Sequence, residues 1–386
     1  MSLPQRGFPA SEFQSRTRAA QALMADAGLS ALLLTTEPEL RYYTGFLTRF
    51  WESPTRPWFL VVPLVGDPIA VIPSIGAYLM GQTWITDIRT WQAPDYEDDG
   101  IVLLVETLSE VTPTDARIGI ADQLESHVRM PLADLEALKS SLGSRVLTSD
   151  ESITRQLRLV KSDAEIAKIA TAAQIADRAF DRVSEIAAVG VPLSHVFRQF
   201  QMLCLEEGAD WVPYLAGAAA KGGYGDVISP ASDRPLAHGD VLMLDTGLVW
   251  DGYFCDFDRN FSFGPPDASV TDAHALLIDA TAAGFEAARP GAKISDLFHA
   301  MNAVVNPNDS QMDAGRLGHG LGMQLTEWPS IIPQDHTELV PGMVLTLEPS
   351  ISVGDGKIMV HEENIVVTES GARYLSYPQA PEIRVI

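Results

Sequence analysis

The sequence predicts a two-domain chain of mixed helix and strand: an α/β domain over residues 1–155, then an α+β domain over residues 160–386. Three observations predict it. At 386 residues the chain is too long for one small module, roughly 150 residues being usual for a domain. The first half alternates short apolar runs with helical stretches. The second half instead groups helices and antiparallel hairpins.

Taken in order, Ser11 and Gln14 have the spacing of a capping box that opens a helix, and Gly28 supplies its stop. Apolar runs at Ala31–Leu34, Trp58–Val62 and Ile69–Ile72 read as strands, the last two joined through the turn Gly66-Asp67-Pro68. Helical patterns follow at Ile101–Val105 and Pro131–Leu138, with a strand at Arg117–Ile120 between them. Beyond the boundary, Ser162 with Glu165 forms a second capping box. The helix it opens is expected to reach about Ala187. Further helices are expected over Pro192–Glu207, Thr271–Ala288 and Ile294–Val305.

Composition removes several classes of function. Hydrophobic residues make up 46% and charged residues 20%, which supplies a core and excludes global disorder. Acids outnumber bases 51 to 27, for a formal charge of -24, so nucleic-acid and membrane-surface partners are not expected. The two cysteines, Cys204 and Cys255, exclude a disulfide framework and favour a reducing compartment. The opening residues lack an apolar signal core and no apolar run reaches the roughly 18 residues of a membrane span, so a cytoplasmic protein is expected.

The segment Val241–Gly264 carries the first chemical signal. Asp251-Gly252 between two β-rich runs specifies a type I′ hairpin, pairing Trp250 with Tyr253. Asp245 then faces Asp258, Asp256 faces Gly247, and alternation puts Asp245, Asp256 and Asp258 on one face. Three like charges on a largely apolar hairpin are destabilising unless a cation sits among them. Acids are common enough in this chain that a solvated face gives the same spacing; the apolar neighbours Val241, Met243, Tyr253 and Phe257 weigh against it.

A second signal is His319, flanked by glycine in Gly318-His319-Gly320-Leu321-Gly322, where the backbone can approach closely. A lone histidine of this kind also serves structure. The third is Thr346-Leu347-Glu348-Pro349 followed by Met359–Thr368, which reads as two strands carrying Glu348 and the pair Glu362, Glu363. Oxygen-rich ligands with one imidazole suit divalent manganese, iron, cobalt or zinc in a binuclear site.

These residues resemble the pita-bread metallopeptidases: prolidase, aminopeptidase P, methionine aminopeptidase and the related creatinase. The resemblance covers nearly the whole chain. Leu40–Phe46 is similar to the creatinase-type N-terminal domain, and the five-ligand pattern maps in order onto Asp245, Asp256, His319, Glu348 and a glutamate of the last hairpin. An ideal turn at Asp355-Gly356 would place Glu363 opposite Glu348. Family spacing, fourteen residues after Glu348 and six before Thr368, selects Glu362, and a bulge would reconcile the two.

The resemblance implies two divalent ions per chain, manganese ahead of cobalt, iron or zinc, and hydrolysis of a C–N bond by activated water. Asp245 and Glu362 would clamp both ions, Asp256 one of them, and His319 with Glu348 the other. Glu348 and His319 would be catalytic, with Glu348 shuttling the proton. Asp258, Thr326, His361 and Glu363 would lie behind the ligands or against substrate. The chain departs from the family at several places. Thr326 stands where peptidase members usually carry a second substrate-side histidine, and Asp226–Ser229 lacks another. Ser352 replaces a tyrosine, Val360 an arginine, and Asp258 a threonine. A short peptide with proline second is therefore the first expected substrate and a small amide-like metabolite, as for creatinase or ectoine hydrolase, the alternative. A metal-free protein-binding module is a third, remote one. A homodimer is expected, and the aromatic stretch Arg41–Phe59 would cap the active site or form the small domain's core.

Overall fold

The computed structural model describes residues 3–52, 56–307 and 315–386. The chain divides into two compact units, Gln5–Arg158 and Leu159–Ile386.

The first unit is built on one six-stranded sheet, ordered β4-β3-β2-β1-β5-β6. Its strands are β1 (Ala31–Leu34), β2 (Phe59–Pro63), β3 (Ile69–Pro73), β4 (Asp87–Trp91), β5 (Arg117–Ile120) and β6 (Val146–Ser149). β2 pairs antiparallel with both β1 and β3, whereas β5 lies parallel to β1 and β6 parallel to β5. The helices Ile101–Val111 and Leu132–Ser141 bury Leu104, Leu108 and Leu138 against Leu33, Val61 and Ile118. The first helix, Ala10–Ala27, starts earlier than the Ser11–Gln14 spacing implies, and no side chain caps it. Pro9 brings the dihedrals of the cap position, and Phe8 meets Phe13 edge-on at 5.9 Å, a hydrophobic staple in place of a capping box. Gly28 closes the helix as expected, in the left-handed conformation. The aromatic stretch spans residues 53–55, outside the described residues. Its rings pack on one another, with Phe46 and Trp51 both within 5.5 Å of Trp58.

The second unit holds two five-stranded sheets and a small hairpin. The first sheet runs β18-β10-β8-β7, with β9 beside β8: β7 (Trp211–Lys221), β8 (Asp240–Trp250), β9 (Tyr253–Phe254), β10 (Phe257–Ser262) and β18 (Arg384–Val385). Helices Asp163–Asp181 and Leu193–Glu206 cover it, Phe180 touching Phe200 at 4.8 Å and Phe257 at 5.4 Å. The capping box of Ser162 and Glu165 is formed. That helix ends at Asp181, short of the expected Ala187. Arg182 is tied there to Glu185, Glu206 and Glu207, and the chain tightens into a 3₁₀ turn over Val183–Glu185.

The second sheet runs β12-β11-β13-β16-β17: β11 (His319–Gly320), β12 (Glu327–Ser330), β13 (Val344–Leu347), β16 (Glu363–Thr368) and β17 (Gly371–Tyr374). Helices Ala268–Ala287 and Ile294–Val305 bury Ala280, Leu297 and Met301 against Leu345, Leu347, Ile365 and Val367. The hairpin of β14 (Ser350–Gly354) and β15 (Lys357–Val360) stands apart from it. The single run expected over Met359–Thr368 thus divides at His361-Glu362, because β15 belongs to the hairpin and β16 to the sheet. Among the described residues no helix is long and apolar enough to cross a membrane.

Candidate metal centre

The turn residues Asp251 and Gly252 both have positive φ, as a type I′ turn requires, and the strands keep the register that the turn sets. Trp250 pairs with Tyr253 and Asp245 with Asp258. Asp256 falls in the gap between β9 and β10, where ladder bonds lapse. Asn364 of β16 replaces them: its amide oxygen accepts the Asp256 N–H at 3.0 Å and its amide nitrogen donates to the Asp256 carbonyl.

The second sheet supplies the other groups. The β11 strand is held close because the glycines around His319 have no side chain. A Cβ on Gly318 would run into the Thr346 carbonyl oxygen, and one on Gly320 into the Trp328 carbonyl. Gly318→Ala, at φ +136°, is accordingly expected to lower unfolding stability by about 2–6 kcal/mol, overpacking and backbone strain each contributing about 1–3. Urea unfolding of chelated protein checks this; an unchanged midpoint would refute the close approach. His319 is further held by Thr346, whose Oγ1 accepts its backbone N–H at 3.1 Å.

Glu362 is placed by a bulge. The turn at Asp355-Gly356 pairs Gly354 with Lys357, but the register then shifts by one, and Ser352 pairs with Ile358. The shifted register continues into the main sheet, where Leu347 faces Glu363. Glu362 therefore stands opposite Glu348. Glu363 points elsewhere: it accepts Arg259 Nη2 at 3.0 Å, the Ser376 hydroxyl and the Gln379 N–H. Burial alone would raise its pKa, but Arg259 and His361 more than offset that and hold it below the usual value.

The two sheets thereby bring Asp256, His319 and Glu362 together, all buried, with one ligand atom from each lying within 4.8 Å of the others. Asp245 and Glu348 lie outside that tightest trio and keep partial solvent access. They nonetheless feel the same field: burial first, then the neighbouring acids, hold Asp245, Asp256 and Glu362 well above ordinary carboxyl values. Glu348 is raised by burial, with His319 and Arg316 opposing. Asp258 is pushed up to about 7 by burial, His361 opposing. Its Oδ1 accepts the Glu362 N–H at 2.9 Å, while Arg259 donates to the Glu362 carbonyl at 3.1 Å, so the Glu362 peptide is gripped from both ends. His361 is buried between Asp258 at 3.7 Å and Glu363 at 3.4 Å. Thr326 is exposed and accepts Arg316 Nη2.

The arrangement has the marks of a cation site. His319 Nδ1 lies 2.8 Å from the Gly320 carbonyl, which fixes the proton there, and burial holds the ring below its usual pKa. The bare Nε2 then faces Asp256 Oδ2 at 3.4 Å, a lone pair against a carboxylate. Asp245 Oδ1, Glu348 Oε2 and Glu362 Oε1 are buried and have no hydrogen-bond partner among the described residues. Such groups are costly to leave unpaired, and a divalent ion satisfies them all.

The comparisons with known proteins agree with this geometry. Residues 167–369 match the description Metallopeptidase family M24, and residues 16–160 match the Creatinase/Prolidase N-terminal domain. The chain belongs to metallopeptidase family M24. This M24 chain is 30% identical over 370 residues to the protein named "Probable dipeptidase PepE" of Mycobacterium tuberculosis, covering 95% of each. It is 28% identical over 251 residues to the Xaa-Pro dipeptidase of Pyrococcus horikoshii, covering 64% of this chain and 71% of that one. The crystal structure of dipeptidase PepE from Mycobacterium ulcerans superposes with a TM-score of 0.85 at 28% identity, over 98% and 99% of the two chains. The M24 chain is thus a metallohydrolase of the peptidase kind, and its family implies divalent metal ions.

Several residues of the site are not legible as such in the sequence. Tyr214 donates to Asp245 Oδ2 at 2.9 Å, which leaves Oδ1 as the unpartnered atom. Asn364 and Arg259 hold Asp256 and Glu362 through their backbones. Tyr214 sits on a strand rich in alanine and glycine, a weak β signal, and the other two act across sheets.

Proposed function

We propose that this chain hydrolyses short peptides with proline in the second position, using two divalent ions held by Asp245, Asp256, His319, Glu348 and Glu362. The observation that carries the reading is the set of buried, unpartnered carboxylate oxygens on Asp245, Glu348 and Glu362, gathered with a bare imidazole nitrogen. Ions bound there would lower the pKa of a water towards neutrality and polarise the scissile carbonyl. The protein's own groups supply the rest. Tyr214 orients Asp245, and the grip of Asp258 and Arg259 fixes Glu362. Glu348 Oε2 is the atom we assign to take the proton of the attacking water and return it to the departing nitrogen as the C–N bond breaks. Manganese is the ion we place first for this carboxylate-rich set with one imidazole.

The peptide reading stands ahead of the small-metabolite reading because relatives named as dipeptidases align over nearly the whole length of both chains. The test is metal content by elemental mass spectrometry on chelator-free protein, then assay of Xaa-Pro dipeptides beside small amides after loading with manganese, cobalt, iron or zinc. About two ions per chain with Xaa-Pro turnover is the expected result. Loaded protein that spares Xaa-Pro dipeptides and cleaves small amides would overturn the substrate.

A further inference from the structure

A dipeptide places its terminal carboxylate about one residue, roughly 4 Å of chain, from the bond being cut. Here that negative charge must approach a cluster of acids in a chain of formal charge -24. A cation at the accessible side would be needed to draw it in and orient it.

Among the described residues two guanidinium groups act on the cluster and its immediate neighbours, Arg259 and Arg316. Arg259 is buried, and its terminal nitrogens are committed to the Asp258, Glu362 and Tyr377 carbonyls and to Glu363. Its terminal nitrogens have nothing left for a substrate. Arg316 is different. It lies three residues before His319, on the stretch whose Leu317 carbonyl accepts the Glu348 N–H at 2.9 Å. It is exposed, and its charge is felt at Asp256, His319 and Glu348. Among the described residues its side chain makes one hydrogen bond, Nη2 to Thr326 Oγ1 at 3.3 Å. Thr326 is itself exposed, so the pair faces solvent.

We propose that Arg316, steadied by Thr326, receives the terminal carboxylate of the substrate and selects dipeptides over blocked or longer peptides. A guanidinium offers a planar fork that matches a carboxylate, and among the described residues most of its five N–H donors meet no acceptor. The proposal rests on the Xaa-Pro reading above and names the group that sets substrate length within it.

The experiment compares an Xaa-Pro dipeptide with its C-terminal amide, which keeps the scissile bond and lacks the charge. For metal-loaded wild type, kcat/KM should favour the acid. In Arg316→Ala that acid-to-amide ratio should fall roughly ten- to a hundredfold, the scale of a charged hydrogen bond, mainly through KM. Arg316→Lys should restore part of the ratio and Arg316→Glu invert it. Calorimetry gives a readout apart from turnover: L-proline should bind wild type at least tenfold more tightly than L-prolinamide, and Arg316→Ala should lose the difference. Active wild type with an unchanged ratio in Arg316→Ala overturns this assignment and leaves the Xaa-Pro reading standing. Loaded wild type that cleaves no Xaa-Pro substrate removes both.

Discussion

Asp256→Ala should abolish metal retention and activity while leaving the metal-free protein no less stable than wild type. Asp256 shares its cluster with His319 and Glu362, and its backbone is clamped by Asn364, so the fold around it does not depend on its carboxylate. Asp256 is 4% exposed among other acids, with burial and the Glu348 charge both working against its ionised form. Removing it relieves repulsion in the apo state. In the loaded state the loss is larger: disturbing the groups that merely orient metal ligands already costs about 10- to 100-fold in affinity or activity, so losing a ligand should exceed a hundredfold. Wild type should gain about 2.7 kcal/mol of unfolding stability at a metal concentration a hundred times Kd, and the variant close to nothing. Elemental analysis and metal-dependent melting curves read both halves. Full metal content and activity in Asp256→Ala would remove the metal-centre assignment.

The chelated wild-type protein should become less stable as pH rises from about 4 to 7, the reverse of ordinary acid denaturation. Asp245, Asp256, Asp258, Glu348, Glu362 and Asp177 all have folded-state pKa values above their usual ones, in each case first because of burial. The folded chain therefore binds more protons than the unfolded chain across this window, and stability falls with pH. Asp258 alone, moving from 3.8 to about 7, accounts for on the order of 4 kcal/mol. Glu363, Glu207 and Asp226 run the other way, their values being lowered, as do the lowered imidazoles of His274 and His319, whereas Glu37, Asp99, Asp134 and Asp150 add to the raised side. Metal reverses the slope locally, since ions bind the ionised ligands and their affinity grows with pH. Urea midpoints at pH 5, 6 and 7.5, with chelator and with manganese, should diverge as pH rises. The charge of -24 burdens both forms alike, so the difference between the two curves isolates the site. A chelated midpoint that climbs with pH would refute the account.

What the sequence revealed follows from the range of the forces involved. Asp251-Gly252 enforces a turn with positive φ at both residues, so the facing of Asp245 and Asp258 could be read locally. The glycines around His319 likewise pointed to close backbone approach, which the Thr346 and Trp328 carbonyls now explain. Helix ends were less legible, because Phe8 packing on Phe13 and the Arg182 ion pairs are contacts between side chains rather than propensities. The split of Met359–Thr368 between two sheets was hidden for the same reason. Alternating apolar residues look alike whichever partner strand they meet. Tyr214, Arg259 and Asn364 lie beyond local reading altogether, since each acts on a residue at least 31 positions away.

The bulge beside Gly354 carries a consequence for how this family can vary. Because it alone sets which of two adjacent glutamates faces Glu348, the length of the β14–β15 hairpin is as constrained as the ligands themselves. Loss of a single residue there would turn Glu363 towards the cluster, away from Arg259, and carry Glu362 out of it. Homologous lineages should therefore tolerate insertions and deletions at the Gly66–Pro68 turn of the first unit but inherit the Ser350–Val360 hairpin at fixed length, even where its sequence has drifted.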